Sequence, residues 1–231
     1  MKTLLLKIGC GLLFLGTLAR TSHGYEEDVH FILTVFLAKQ AGISEQIAYE
    51  LAKCNQATDD DPETEPYFGG GIFSFGFTAR AMFHFADVFR LNQMLKDAEK
   101  CDPKQSGRYL HTAADHYSHA GYSSIFGHLT GGHRPDIPRN APDIAAKMAR
   151  ELFIDLHSFA TDNCPTWRFR NVDFDGHTLK HLKETRLIPF FTHLDDGITE
   201  SKSISLTEGE WQKYETLWDS YVTWRKSTFG K

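Results

Sequence analysis

The stretch GRYLHTAADHYSHAGY, residues 107–122, is the segment from which the fold and the site of this chain are best predicted. We predict it to be an α-helix, in which His111, Asp115 and His119 stand four residues apart. Because an α-helix turns about 100° per residue, a step of four leaves about 40° between side chains. The three side chains then form one stripe about 12 Å long. Such a stripe is either a polar face in water or a set of ligands in which Asp115 bridges two metal ions.

Helical patterns continue on both sides of this segment. Apolar spacing and helix-capping residues predict further helices at residues 28–42, 44–57, 77–100 and 142–160. A last helix begins at a capping box formed by Thr207 and Glu210, and its apolar stripe predicts core packing. With 231 residues, of which 41% are hydrophobic, the chain is long enough for one sizeable core. The predicted fold class is all-α, a single multi-helix domain over residues 25–231.

The N-terminus has the pattern of a secretory signal peptide. Lys2 and Lys7 precede an apolar run at residues 8–18, which is too short to span a bilayer as a helix. The small residues Ser22 and Gly24 suit a cleavage site. We therefore predict a signal peptide at residues 1–24, a mature chain that begins at Tyr25, and a secreted or periplasmic protein. The alternative is a retained N-terminal helix.

The charge and the cysteine content limit which partners and which metal ligands we expect. The net charge is −5 and no stretch is rich in Lys or Arg, so no stable nucleic-acid complex is expected. After removal of the signal, three cysteines remain, Cys54, Cys101 and Cys164, which allow at most one intramolecular disulfide. No C-x-x-C motif occurs, so metal ligands are expected among the twelve histidines and the carboxylates.

Several histidines and acids elsewhere in the chain are candidate partners of the central stripe. His84 lies in an apolar segment, where it is either a ligand or a core histidine that pairs with Asp87 one turn on. The acidic run at residues 59–61 either binds metal or caps a helix in water. His133 and Asp136 follow glycines that would let backbone fold around ions. The predicted metal ligands are His30, Asp59, Asp60, His84, His111, Asp115, His119, His133 and Asp136.

The order of these residues resembles that of the zinc-dependent phospholipase C and P1 nuclease superfamily, and looks closest to an uncharacterised bacterial branch of it. The resemblance covers roughly residues 25–160 and rests on an early His, an Asp after the second helix, a mid-chain His and then H-x-x-x-D. It implies an all-α fold with two or three zinc ions that hydrolyses phosphate esters. His111 and Asp115 match the central H-x-x-x-D, and His84 with one acid of residues 59–61 matches the ligands that complete that zinc.

The resemblance extends to both ends of the ligand series. His30 matches the early His, and the backbone of Tyr25 takes the place of an N-terminal residue that binds zinc. His119 matches the next His, although it follows the Asp more closely than in the best-known members. The next ligands of the family, a His and an acid one helical turn apart, have no clean counterpart. His133 and Asp136, three residues apart, are the nearest substitute.

The predicted function is that of a secreted zinc-dependent phosphoesterase. We expect phospholipase C-like hydrolysis of a phospholipid or another phosphodiester by a metal-bound hydroxide, with transient membrane-surface contact if the substrate is a lipid. Asp28, or Asp60 as a spare member of the acidic run, is the expected general base or water-orienting residue. The alternatives are a P1-type nuclease and a non-catalytic secreted helical binding protein that retains part of the metal site.

Overall fold

The computed structural model describes residues 25, 28–66, 78–122, 137–172 and 208–230. The described part of the chain is all-α: it contains no β-strand, and an isolated bridge joins Ile43 to Arg168. The predicted signal peptide at residues 1–24, and the predicted ligands His133 and Asp136, lie outside the described residues.

Six α-helices follow one another in these residues. They are α1 (Thr34–Gln40), α2 (Glu45–Asp60), α3 (Val88–Ala98), α4 (Pro103–Ser118), α5 (Pro142–Ser158) and α6 (Glu208–Phe229). Wider π-helical segments precede α1 and α3 and extend α5, at Asp28–Leu33, Arg80–His84 and Phe159–Asn163. None of the helices in the described ranges is long and apolar enough to cross a membrane.

Local sequence explains most of the helix boundaries. The Asp102 carboxylate accepts a hydrogen bond from the backbone N–H of Lys104 at 3.0 Å, and Pro103 fits the first turn of α4. After α1 the chain turns at Gly42, whose φ of +86° is the left-handed conformation expected of a terminal glycine.

The helix predicted over residues 77–100 is instead two segments. The π-helical turn ends at His84, and α3 begins at Val88. The chain breaks there because the Asp87 carboxylate accepts a hydrogen bond from the backbone N–H of Arg90 at 2.8 Å and so caps a new helix. Asp87 therefore acts as a helix cap, and His84 turns to other partners.

The pairing of α2 with α4 positions the site. A Cβ atom at Gly107 would lie 2.5 Å from the Cβ of Cys54 and 2.8 Å from the carbonyl oxygen of Leu51, so only glycine permits this approach. Tyr214 and Tyr221 of α6 are buried in the same core. The predicted core packing of the α6 stripe is thereby confirmed for these two residues.

One disulfide links the start of α4 to the segment that follows α5. Cys101, just before α4, is bonded to Cys164, which follows the π-helical extension of α5. Cys54 of α2 keeps a free thiol, and its burial raises its pKa to about 11. The structure thus supplies the pairing that the cysteine count left open.

Candidate metal centre

Three histidines from three elements meet two aspartates below the surface. His30 comes from the first π-helical segment, His84 ends the second, and His111 lies in the middle of α4. Asp59 comes from the last turn of α2 and Asp115 from α4. The three imidazoles and Asp115 are fully buried, whereas the Asp59 side chain keeps 11% of its surface exposed. The cluster therefore lies just beneath the surface, and Asp59 is its most exposed member.

The two oxygens of Asp115 face different partners. Oδ2 lies 3.0 Å from Nδ1 of His84 and 3.3 Å from Nε2 of His111. Oδ1 lies 3.2 Å from Nε2 of His30 and accepts a hydrogen bond of 3.2 Å from the backbone N–H of Tyr25. The two oxygens of this carboxylate are thus placed so that each could bind a separate cation.

Asp59 approaches the same three imidazoles from a second direction. Its Oδ1 lies 3.6 Å from Nδ1 of His84 and 3.7 Å from Nε2 of His111, and its Oδ2 lies 3.9 Å from Nε2 of His30. These distances are too long for hydrogen bonds. The donor atoms therefore surround a shared space. Two sets have all their ligand atoms within 4.8 Å of one another: His30, Asp59 and His111, and His84, His111 and Asp115.

A backbone carbonyl fixes the orientation of His84. Nε2 lies 2.9 Å from the carbonyl oxygen of Thr64, so this nitrogen carries the proton and donates it. In the neutral imidazole, Nδ1 then presents a lone pair to the Asp115 carboxylate and to Nε2 of His111, which is 3.1 Å away. Lone pairs in such contact repel unless a proton or a cation lies between them. The donor set therefore fits a metal ion.

His30 and His111 face the carboxylates through Nε2, and their other ring nitrogens have a different environment from that of His84. Among the described residues, Nδ1 of His30 and Nδ1 of His111 have no hydrogen-bond partner, although both are buried. The two rings stack with centroids 4.0 Å apart, which keeps their Nε2 atoms on the same side of the cluster as the carboxylates. Ring stacking and the contacts of both Nε2 atoms with Asp115 thus orient these two imidazoles.

The pKa values of His111 and Asp115 favour the protonation states in which these side chains can bind a metal ion. Burial, helped by the charge of His30, lowers the pKa of His111 to about 3, so its imidazole is neutral near pH 7. Burial opposes ionisation of Asp115, but the nearby His111 and His119 outweigh it and hold its pKa well below the usual value. For His30, burial acts to lower the pKa, and the adjacent Asp115 carboxylate raises it further than burial lowers it.

Asp60 does not join the cluster, although it was predicted as a ligand and as a general base. Its Oδ2 accepts a hydrogen bond from the Tyr221 hydroxyl, and its Oδ1 lies 3.3 Å from Nη1 of Arg225. Successive helical residues point about 100° apart, so Asp59 and Asp60 cannot share one face. Asp61 is the C-cap residue of α2 and pairs with Arg108 at 3.4 Å. Of the acidic run, Asp59 alone meets the imidazoles.

His119 lies beside the ligand sets and belongs to neither of them. The helix α4 ends at Ser118, so the predicted stripe does not continue in regular geometry. Nδ1 of His119 contacts the carbonyl oxygen of His84, and its ring stacks on Phe85 with centroids 3.9 Å apart. The other predicted catalytic residue, Asp28, begins the first π-helical segment, and its side chain is outside the described part of the structure.

Two backbone groups of the site could not be predicted from residue types alone. The Thr64 carbonyl holds His84, and no sequence signal identifies a carbonyl oxygen as a partner. The Tyr25 amide was expected at the site only through the family resemblance, and it does contact Asp115.

Comparison with protein-family models, with curated proteins and with solved structures finds no match for this chain. The superfamily resemblance therefore stays a prediction from the sequence.

Proposed function

We propose that this protein is a secreted zinc-dependent phosphoesterase with phospholipase C-like specificity for a phosphodiester. The observation that carries the proposal is the buried meeting of three imidazoles with two carboxylates, each of which faces all three rings. The proposed zinc ligands are His30, Asp59, His84, His111 and Asp115.

The chemistry of the donors favours zinc in a catalytic site. Imidazole nitrogen and carboxylate oxygen suit Zn²⁺, and closed structural zinc sites more often contain cysteine. Asp115 is the proposed bridge, because Oδ1 faces His30 while Oδ2 faces His84 and His111. Bound zinc ions would supply a water of lowered pKa and would neutralise charge on a phosphoryl group.

The chain's own residues would prepare this chemistry in three ways. Asp59 and Asp115 provide the negative charge that retains cations in a buried place. The Thr64 carbonyl holds His84 in the tautomer whose Nδ1 is available. Asp28, three residues from Tyr25, is the proposed water-orienting residue.

Two further observations support processing and export. Cleavage after Gly24 would convert the Tyr25 amide, now 3.2 Å from Asp115, into a terminal amine able to bind metal. The Cys101–Cys164 disulfide is typical of an oxidising compartment. We propose a phospholipid as substrate, with transient contact at a membrane surface.

Purified protein that begins at Tyr25 should contain two or three zinc ions and hydrolyse phosphatidylcholine or sphingomyelin until chelator is added. Cleavage of single-stranded DNA instead would favour the nuclease. Protein with at most one ion and no activity on these substrates would favour a binding role and contradict the proposal.

The Asp115→Asn variant keeps size and removes the bridging charge. It should lose at least one metal equivalent and all activity while its circular dichroism stays unchanged. The matched control is Asp97→Asn, since Asp97 is an exposed carboxylate paired with Lys100. Full metal occupancy in the Asp115→Asn protein would remove Asp115 from the site.

A further inference from the structure

The C-terminal helix α6 contacts the immediate neighbour of one proposed ligand. Asp60 follows Asp59, and its carboxylate binds both the Tyr221 hydroxyl and Nη1 of Arg225, the latter at 3.3 Å. Tyr221 is fully buried, and the Arg225 side chain is about one-fifth exposed. These contacts join positions more than 160 residues apart in sequence.

The same turn of α6 contacts the neighbour of a second ligand. Phe31 follows His30, and its ring centroid lies 5.4 Å from that of Tyr221 and 5.3 Å from that of Trp218. Phe31 is fully buried. One helical face therefore packs against both ligand-bearing segments, through hydrogen bonds at one and ring contacts at the other.

Electrostatics explains why Asp59 needs such support. Three consecutive carboxylates stand at the C-terminal end of α2, where the helix dipole is also negative. Arg225 of α6 lies against Asp60, and Arg108 of α4 lies against Asp61 at 3.4 Å. These two guanidinium groups neutralise Asp60 and Asp61 and leave Asp59 directed at the imidazoles. The last turn of a helix otherwise frays.

We propose that α6 is a positioning element for the metal centre, in which Tyr221 and Arg225 hold Asp60 and thereby set the place of Asp59. This inference rests on the proposed function, because it needs a metal at the cluster. Residues that orient ligands from outside typically change metal affinity by about 10–100-fold.

The test measures metal affinity and ligand geometry separately from activity. Zn²⁺ is titrated against a competing chelator, and the visible absorption spectrum of the Co²⁺-substituted protein is recorded, for wild type, Tyr221→Phe and Arg225→Gln. Tyr221→Phe removes the hydroxyl and keeps the ring on Phe31. The matched control is Lys226→Gln, an exposed cation of the same helical turn.

Both α6 variants should bind Zn²⁺ about 10–100-fold more weakly and alter the Co²⁺ spectrum, whereas Lys226→Gln should match wild type. Asp60→Asn, which keeps an acceptor for Tyr221, should retain more affinity than Asp60→Ala. Folded Tyr221→Phe and Arg225→Gln proteins with wild-type affinity and spectrum would overturn the positioning role and leave the metal site standing. A wild-type chain that binds neither Zn²⁺ nor Co²⁺ would overturn the proposed function together with this inference.

Discussion

Chemically identical side chains, even neighbouring ones, have different partners and pKa values in this protein, and the surroundings of each residue determine them. Asp59 faces three imidazoles, while Asp60 binds α6. Two further carboxylates, the buried Asp115 and the half-buried Asp155, differ in the same way. Histidines hold the pKa of Asp115 well below its usual value, whereas burial raises the pKa of Asp155, whose partner is the Tyr109 hydroxyl at 2.6 Å. The acid that stays ionised most readily is the one suited to bind a cation.

The raised pKa of Asp155 has a consequence for stability. The folded protein binds this proton more tightly than the unfolded chain, in which the pKa is near 3.8. The contribution of Asp155 to the free energy of unfolding is therefore fully present below the unfolded pKa. It is lost as pH rises through the folded pKa.

Asp155→Asn keeps an acceptor for Tyr109 and removes this titration. Urea unfolding between pH 4 and pH 8 should show the variant gaining stability relative to wild type as pH rises. A difference between the two proteins that does not change with pH would show that Asp155 titrates normally in the fold.

At the scale of elements, the regular helices were predictable and the irregular segments that carry ligands were not. The sequence predicted the helix at residues 142–160, and α5 confirms it at Pro142–Ser158. It predicted one helix over residues 77–100, but the chain is π-helical at Arg80–His84 and then restarts. His30 also lies in a π-helical segment. Apolar periodicity reports a turn of 3.6 residues and is insensitive to such local widening, which is frequent at functional sites.

The close contact of α2 with α4 at Gly107 should be intolerant of a single methyl group. Gly107→Ala places a Cβ within 2.8 Å of Leu51 and closer still to Cys54, so we expect a loss of about 1–3 kcal/mol in the free energy of unfolding. Metal affinity should fall as well, because the two helices carry Asp59, His111 and Asp115.

Gly209 of α6 supplies the matched control. Among the described residues outside its own helical turn, no atom lies within 4 Å of a Cβ built there, so Gly209→Ala should be neutral or slightly stabilising. Chemical denaturation of both variants makes the comparison. Equal stability of the two variants would contradict the close packing at Gly107.

At the scale of the whole molecule, the site is assembled by tertiary contacts between segments far apart in sequence. Residue type and order were sufficient to propose His30, His84, His111 and Asp115, which the structure brings together. They could not choose Asp59 within its acidic run, because the choice depends on where α6 and α4 place their arginines. Nor could they supply the disulfide pairing, which depends on the approach of the segment after α5 to the start of α4.

That disulfide should contribute substantially to stability. It joins residues 63 positions apart, and a loop of this size corresponds to about 4 kcal/mol in the chain-entropy account. A Cys101→Ala/Cys164→Ala variant should therefore unfold at a lower urea concentration than wild type. Reductant should destabilise wild type and Cys54→Ser alike and leave the double variant unchanged. An effect of reductant that requires Cys54 would contradict the observed pairing.

The central claim is that the three imidazoles and two carboxylates bind zinc. Crystals of the chain beginning at Tyr25, grown with Zn²⁺, can be measured at the zinc absorption edge. The anomalous difference map should show at least two zinc peaks, bridged by Asp115 and about 2.0–2.2 Å from ligands among His30, Asp59, His84 and His111. A map without a peak between these side chains at saturating zinc, or with zinc bound only elsewhere, would contradict the account.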